Sequence, residues 1–144
     1  ALARYRRPAH RRSVVGVWDG VAWVDDSKAT NPHAAVAAVA AYPAVILIAG
    51  GRNKGLDLTP LATAPSVRHI VAIGEAAADL AAARPEATSL AVDIAEAVAA
   101  ADAMARPGDT VLLAPGCASF DQFTDYGERG DAFVSAVLHR KEMT

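Results

Sequence analysis

The stretch that decides the fold class is VILIAGGRNKG, which occupies residues 45–55. Its first five residues are all apolar and show no alternation, which is typical of a strand buried on both faces of a parallel sheet. Gly50 and Gly51 then mark the end of the strand, because glycine lets the backbone turn sharply or approach a ligand closely. The segment therefore predicts an inner strand with a polar loop at its carboxyl end.

Strands and helices alternate along the chain on both sides of this segment. The predicted elements are a hairpin of strands 13–18 and 21–25, a helix over 32–41, a strand at 69–73, helices at 75–83 and 93–104 with a short strand near 89–92, a strand at 110–114 and a closing helix at 130–141. Asp19-Gly20 between β-branched runs favours a two-residue hairpin turn, and Asn31-Pro32 is a helix start signal. The alternation predicts an α/β fold: a mostly parallel sheet covered by helices on both faces, with the antiparallel N-terminal hairpin at its edge.

Composition and charge exclude several classes of protein. The chain has 144 residues, of which 53% are hydrophobic and 21% charged, so it has enough apolar material for one folded domain and is not a disordered chain. Its formal net charge of −2 argues against nucleic-acid binding by the chain as a whole. No apolar run reaches the roughly 18–20 residues that span a bilayer, so we expect no membrane partner. The single cysteine, Cys117, excludes an internal disulfide and favours a reducing, cytoplasmic location.

The first residues differ from the rest of the chain. They lack a methionine, include five arginines within the first 12 positions and have no apolar core of the kind found in signal peptides. We therefore expect residues 1–9 to be a linker from a missing preceding domain, and residues 10–144 to form the domain itself. The segment His10-Arg11-Arg12 is open to three interpretations: a solvated linker, a nucleic-acid arm, or an Arg11 that reaches phosphate.

Three polar loops each follow a predicted buried strand. They are DDSKATNP at 25–32, GGRNKG at 50–55 and PGCASFDQF at 115–123. Because ligands bind outside the carboxyl ends of strands in open parallel sheets, we expect these loops to converge on one site.

Each of the first two loops has a functional and a structural interpretation. In the first, Lys28 and Thr30 precede a helix and suit an anion, but Thr30 or Asn31 could simply cap that helix. In the second, Arg52 and Lys54 offer charge to a carboxylate or phosphate, yet the loop lacks the Walker A pattern and could be an ordinary tight turn.

The third loop carries a thiol and a hydroxyl. Cys117 has no base placed for it in the sequence, so a small buried thiol is favoured over a nucleophile. Ser119 lacks the G-x-S-x-G setting of a hydrolase and is better suited to donating a hydrogen bond. Asp121, Arg129 and Asp131 are expected to form structural ion pairs around the last helix.

Four segments together resemble a known family. HRRSVV, DGVAWVDDSKATNP, ILIAGGRNKG and VLLAPGCASFDQFTDYGERGDAF are similar, in register from His10 to Phe133, to the C-terminal domain of the D-glutamate-adding Mur ligases, the UDP-N-acetylmuramoyl-L-alanine:D-glutamate ligases. DSKATN is the most specific piece, because sister Mur ligases and folylpolyglutamate synthase carry different sequences there. Ser13 departs from the pattern, since the family commonly has an acidic residue at that position.

The resemblance implies a fold and an activity. It implies a Rossmann-like three-layer lobe that positions D-glutamate and closes over ATP during cytoplasmic peptidoglycan precursor synthesis. ATP phosphorylates UDP-N-acetylmuramoyl-L-alanine, and the amine of D-glutamate attacks the acyl phosphate. ATP with Mg²⁺ would be held mainly by the missing central domain, and the N-terminal and central domains of the same enzyme would be the partners.

The resemblance also implies roles for individual residues. It assigns D-glutamate binding to Lys54, Thr30, Ser119, Phe120 and Tyr126, and nucleotide binding to Arg11, Asp26, Lys28 and Asn31. It supplies no catalytic residue and no metal ligand of this chain's own, and the chain lacks a GTNGKS-type P-loop, so we expect the isolated domain to be inactive. The alternative is a stand-alone Rossmann-like module that binds a nucleotide or small anion without catalysis.

Overall fold

The computed structural model describes residues 9–119 and 123–142 and contains the alternating strands and helices that the sequence predicts. In chain order the elements are β1 (Ser13–Trp18), β2 (Val21–Asp25), α1 (Pro32–Val39), β3 (Val45–Gly50), α2 (Thr59–Ala62), β4 (Val67–Ile73), α3 (Ala77–Ala83), β5 (Thr88–Leu90), α4 (Ile94–Met104), β6 (Thr110–Leu113) and α5 (Tyr126–Glu142), with a 3₁₀ turn at Pro85–Ala87.

The strands form one six-stranded sheet in the order β1-β2-β6-β3-β4-β5. β1 is antiparallel to β2, and every other neighbouring pair is parallel. Asp19 and Gly20 join the first two strands with positive φ values of 54° and 77°, as a two-residue turn of the primed type requires. The α/β class, the mostly parallel sheet and the antiparallel hairpin at its edge are therefore confirmed.

The sheet is the middle of three layers. All six residues of β3 are buried because alternate side chains enter two separate cores. Leu47 and Ala49 pack on the side covered by α1, α2 and α3, whereas Ile46 and Ile48 pack on the side covered by α4 and α5. Full burial of one such large aliphatic side chain contributes about 1.5–3 kcal/mol, so this strand anchors both layers.

Two helices differ most from the sequence expectation. α5 begins at Tyr126, four residues before the predicted start, because Asp125 Oδ1 accepts a hydrogen bond of 2.8 Å from the Glu128 N–H and caps the helix. Gly127, which is a poor helix former, conceals this first turn in the sequence. The short helix α2 was not predicted, since its four residues are too few to show helical periodicity.

The central strands β3 and β6 lie side by side but lead to opposite faces of the sheet. The chain leaves β3 toward α2 on one face and leaves β6 toward α5 on the other, which opens a crevice between their loops at the carboxyl edge. Gly50 is required beside this crevice: its φ is 126°, and an added Cβ would overlap the carbonyl oxygen of Ile73. The fold thus places a crevice where the three polar loops meet.

Candidate functional site

The three polar loops line one small cavity at the carboxyl edge, which we call the notch. Its volume is about 160 Å³, and it is lined by Thr30, Arg52, Asn53, Lys54, Leu56, Gly116, Cys117 and Ala118. Two cationic residues and a hydroxyl-bearing residue therefore line a space of the size of a small anion, whereas the carboxamide of Asn53 is engaged by the Leu56 backbone and Asp79. The convergence expected from the loop positions is observed.

Backbone hydrogen bonds hold these loops in place. Arg52 and Ala118 exchange a pair of bonds, at 2.9 Å from the Arg52 N–H and 3.1 Å from the Ala118 N–H. The Gly116 N–H donates to the Ala29 carbonyl at 2.9 Å, which joins the first loop to the third. The three loops that form the notch are therefore connected to one another by backbone hydrogen bonds.

A second and larger space adjoins the first loop, and we call it the cleft. It has a volume of about 500 Å³ and is lined by Arg11, Arg12, Asp26, Lys28, Ala29, Asn31, Ala34 and Ala37. Asp26 is only 5% exposed, and this burial raises its pKa, although the Arg12 N–H and the nearby Arg12 guanidinium act in the opposite direction. A buried carboxylate with a raised pKa at the wall of a cleft is a mark of functional sites.

The residues predicted from the sequence divide between these two spaces. Thr30 and Lys54 line the notch, whereas Arg11, Asp26, Lys28 and Asn31 line the cleft. Ser119 is 6% exposed and directly follows Ala118 at the notch without being one of its lining residues. Phe120 lies outside the described residues.

Tyr126 lies by the first loop rather than in the notch. The Lys28 ammonium is 5.7 Å from the centre of its ring, a cation–π distance. Tyr126 as a whole is 36% exposed. Asn31 caps α1, with its Oδ1 accepting from the Ala34 N–H at 2.9 Å, which is the structural role considered for it. Its amide NH₂ group carries donors that could serve a ligand in the cleft.

His10 has a structural role that the sequence did not reveal. Its Nδ1 lies 2.6 Å from Asp25 Oδ2, and its Nε2 lies 3.2 Å from Asp131 Oδ1. Its carbonyl accepts from the Lys28 N–H at 3.0 Å, and its φ of 65° is in the left-handed region. A histidine followed by two arginines suggests a solvated segment, and nothing in that pattern points to these contacts.

Arg129 also differs from expectation. Asp131 pairs with His10 rather than with Arg129, and Asp121 lies outside the described residues. The guanidinium of Arg129 is instead buried beneath the loops, where it donates to Ser27 and to the Cys117 carbonyl. Cys117 is 2% exposed, in agreement with a buried thiol.

The described part of the chain contains neither a cluster of metal-binding side chains nor a helix that could cross a membrane. Within residues 9–119 and 123–142, no group of three or more His, Cys, Asp or Glu side chains is placed to hold a metal ion. In the same residues, no helix combines the length and apolar character needed to cross a membrane.

The fold and the site together define a class: a three-layer α/β domain with a cationic notch and an adjoining cleft at the carboxyl edge of its sheet. Residues 10–117 match the family model described as the Mur ligase glutamate ligase domain. The chain belongs to this family of Mur ligase C-terminal domains.

Curated relatives agree with this assignment. The UDP-N-acetylmuramoylalanine--D-glutamate ligase of Frankia casuarinae is 51% identical over 98% of this chain and 31% of its own length. The proteins of the same name from Chlamydia caviae and Streptomyces coelicolor are 46% and 47% identical, over 95% and 94% of this chain and 34% and 31% of their own lengths. The chain thus spans about a third of the length of the curated relatives it matches.

Solved structures support the fold. UDP-N-acetylmuramate-alanine ligase MurC from Thermotoga maritima aligns with a TM-score of 0.65 at 11% identity, over 98% of this chain and 32% of that one. The T. maritima MurF ligase in complex with ADP aligns with a TM-score of 0.59 at 16% identity, over 96% and 34%. At such identities the likeness shows the fold alone, and it confirms the three-layer architecture.

Proposed function

We propose that this chain is the amino-acid-binding lobe of an ATP-dependent ligase that joins D-glutamate to UDP-N-acetylmuramoyl-L-alanine in peptidoglycan precursor synthesis. The observation that carries the proposal is the notch, where Thr30, Arg52 and Lys54 face one cavity beside a cleft that contains Lys28 and Arg11. The names of the curated relatives supply the substrates. A cytoplasmic location is part of the same proposal.

The notch suits a small dicarboxylate. Lys54 and Thr30 would hold carboxylate oxygens by charge-assisted and hydroxyl hydrogen bonds. Ser119 would hold them from the third loop, and Phe120 is the next residue in the sequence. Tyr126 would lie toward the side shared with Lys28. Holding the carboxylates orients the free amine toward an acyl phosphate and makes the attack effectively unimolecular, which can contribute about 7–11 kcal/mol to lowering the barrier.

The cleft suits the nucleotide. Asp26 is an acceptor for sugar hydroxyls, and Lys28 and Arg11 are cations that attract phosphate. Asn31 lines the same space. ATP supplies the phosphoryl group that activates the substrate carboxylate. As the family resemblance implies, Mg²⁺ would accompany ATP and be held mainly by the central domain of the longer enzyme.

The alternative function is a stand-alone module that binds a nucleotide or small anion without catalysis. The two functions differ in what the notch recognises. We therefore expect D-glutamate to shift the backbone amide signals of Thr30, Lys54 and Ser119 in NMR spectra of the 144-residue chain, with L-glutamate as the stereochemical control. Shifts produced only by a nucleotide, and confined to the cleft, would favour the alternative.

Two further measurements test the enzymatic part of the proposal. The isolated chain should release no ADP in a D-glutamate-dependent manner, since the substrate-activating parts lie in other domains. In the longer enzyme, Lys54→Met should raise the KM for D-glutamate more than it lowers kcat. The control is Arg106→Met, which replaces an exposed cation shortly before β6, at the opposite edge of the sheet.

A further inference from the structure

Arg129 is a buried charge that the proposed function does not yet use. It lies in the first turn of α5 with 1% of its surface exposed. Arginine side chains are almost never fully buried unless they are paired, because removing a guanidinium from water costs free energy. Burial lowers the pKa of Arg129 to about 10, which still leaves the group charged at neutral pH. This charge therefore needs an explanation.

The hydrogen-bond partners of Arg129 are neutral. Nε donates to Ser27 Oγ at 3.0 Å, Nη2 to the Ser27 carbonyl at 3.0 Å, and Nη1 to the Cys117 carbonyl at 3.1 Å. Among residues 9–119 and 123–142, no carboxylate oxygen lies within 4.0 Å of the guanidinium. Asp25 is close enough to act on its charge, but the Asp25 oxygens are engaged by His10 and by the Ser27 N–H.

The guanidinium lies directly behind the wall of the notch. Cys117 lines the notch, and its carbonyl accepts the bond from Nη1. An added Cβ on Gly51 would lie 3.1 Å from the same nitrogen, so the second loop also passes over Arg129. The charge is therefore hydrogen-bonded to the first and third loops, lies close to Gly51 of the second, and is held behind a residue that lines the cavity.

We propose that Arg129 is a specificity-determining residue that makes the notch select a net anion over its neutral carboxamide counterpart. The inference rests on the proposed function and adds the source of the selectivity. A buried charge acts through low-dielectric protein and is poorly screened by salt, unlike the exposed Lys54. Its desolvation cost is met on folding, so the field is already oriented when the ligand binds.

The competing explanation is that Arg129 only fastens the loops together. If Arg129 only holds the loops together, its loss would lower the affinity of the notch for every ligand alike. If its charge matters, its loss would lower the affinity for D-glutamate, which carries a net charge, and leave the affinity for D-glutamine nearly unchanged. The ratio of the two affinities therefore separates the explanations.

The test measures binding of D-glutamate and D-glutamine to the 144-residue chain by NMR titration. We expect Arg129→Met to lower the affinity for D-glutamate roughly ten-fold and the affinity for D-glutamine less than about two-fold. Arg129→Lys, which keeps the charge and loses the forked hydrogen bonds, should retain most of the discrimination. Equal loss of both ligands in Arg129→Met would overturn the inference and leave the proposed function standing.

Measurements that leave Arg129 intact cover the case in which its variants fail to fold. In the wild-type chain the preference for D-glutamate should persist when NaCl is raised from about 50 to about 500 mM, since a buried charge is weakly screened. A preference lost at high salt, or abolished by Lys54→Met alone, would assign selectivity to the exposed lysine and refute the inference. Absence of any D-glutamate binding by the wild type would instead overturn the proposed function itself.

Discussion

The imidazole Nδ1 of His10 lies 2.6 Å from Oδ2 of Asp25, a carboxylate that is 1% exposed at the end of β2. The other ring nitrogen of His10 faces Asp131 on α5, and the His10 ring also covers Gly130, where an added Cβ would overlap it. One side chain therefore fastens the segment that leads into β1 both to the sheet and to the last helix. This segment also carries Arg11 and Arg12 to the cleft.

Replacing His10 should destabilise the domain. In His10→Ala the buried Asp25 carboxylate loses a hydrogen-bond partner, and leaving such a group unsatisfied costs about 1–3 kcal/mol. Urea unfolding followed by circular dichroism would measure the loss. The matched control is Asp131→Ala, which removes the 78% exposed partner of the same ring and should cost less than about 1 kcal/mol. Equal losses in the two variants would contradict the importance given to the buried pair.

Replacing Asp26 should have the opposite effect on stability. Burial raises the pKa of Asp26, so the folded state favours its protonated form. A raised folded pKa stabilises the fold below the unfolded pKa, near 3.8, and this stabilisation is lost as pH rises through the folded pKa. At pH 7 the charged carboxylate therefore destabilises the domain, and Asp26→Asn should raise Tm by a few degrees.

Two controls define this prediction. The gain in Tm should shrink as the pH is lowered toward 4, where the wild-type carboxyl becomes protonated. Asp19→Asn, at the exposed hairpin turn, should leave Tm nearly unchanged, because asparagine also tolerates the positive φ of that position. A lower Tm for Asp26→Asn at pH 7 would contradict the prediction and show that the charged carboxylate stabilises the fold.

The far end of the sheet depends on a different carboxylate. Asp109 is 6% exposed and accepts from Arg68 Nη2 at 2.6 Å and from the Arg106 N–H at 2.8 Å. Burial by itself would raise its pKa, but these hydrogen bonds outweigh burial and the pKa is lowered. A lowered folded pKa gives stability above the unfolded pKa that is lost as pH falls through the folded pKa.

Asp109→Asn should therefore lower the free energy of unfolding at pH 7 by about 1–3 kcal/mol, and the difference from wild type should shrink as the pH falls below the ordinary aspartate pKa of 3.8. Chemical unfolding at several pH values would test both statements. Glu86→Gln alters a 70% exposed partner of Arg84 and should change stability by less than about 0.5 kcal/mol. A pH-independent loss in Asp109→Asn would show that charge is not the cause.

Much of the fold could be predicted because its signals are local and redundant. The unbroken apolar run of β3 could only fit an inner strand, and Asp19-Gly20 specified both a turn and its register. The start of α5 was hidden, since Gly127 masks its first turn and its cap depends on Asp125. α2 is too short for any periodicity to appear.

The candidate site could also be predicted only in part. The position of the three loops follows from strand polarity, so the meeting of Thr30 and Lys54 in one notch could be predicted. How deeply an individual side chain is buried could not be predicted from the sequence. Arg129 and His10 resemble surface charges in the sequence, and their burial depends on tertiary contacts with Ser27 and Asp25 that lie far away along the chain.

A hydrogen bond between β4 and the edge strand β5 should make the stability of the domain sensitive to mild acid. His69 Nε2 lies 2.8 Å from Ser89 Oγ, and burial together with the charges of Arg68 and Arg84 lowers the pKa of His69. Because the folded state favours the neutral ring, stability is complete above the unfolded pKa near 6.5 and is lost as pH falls through the folded pKa. His69→Gln keeps a hydrogen-bonding side chain without a titrating group. Its Tm should therefore fall less than the Tm of the wild type between pH 7 and pH 5. The exposed His33→Gln is the control and should follow the wild-type curve. Parallel curves for wild type and His69→Gln would show that another group controls the acid sensitivity.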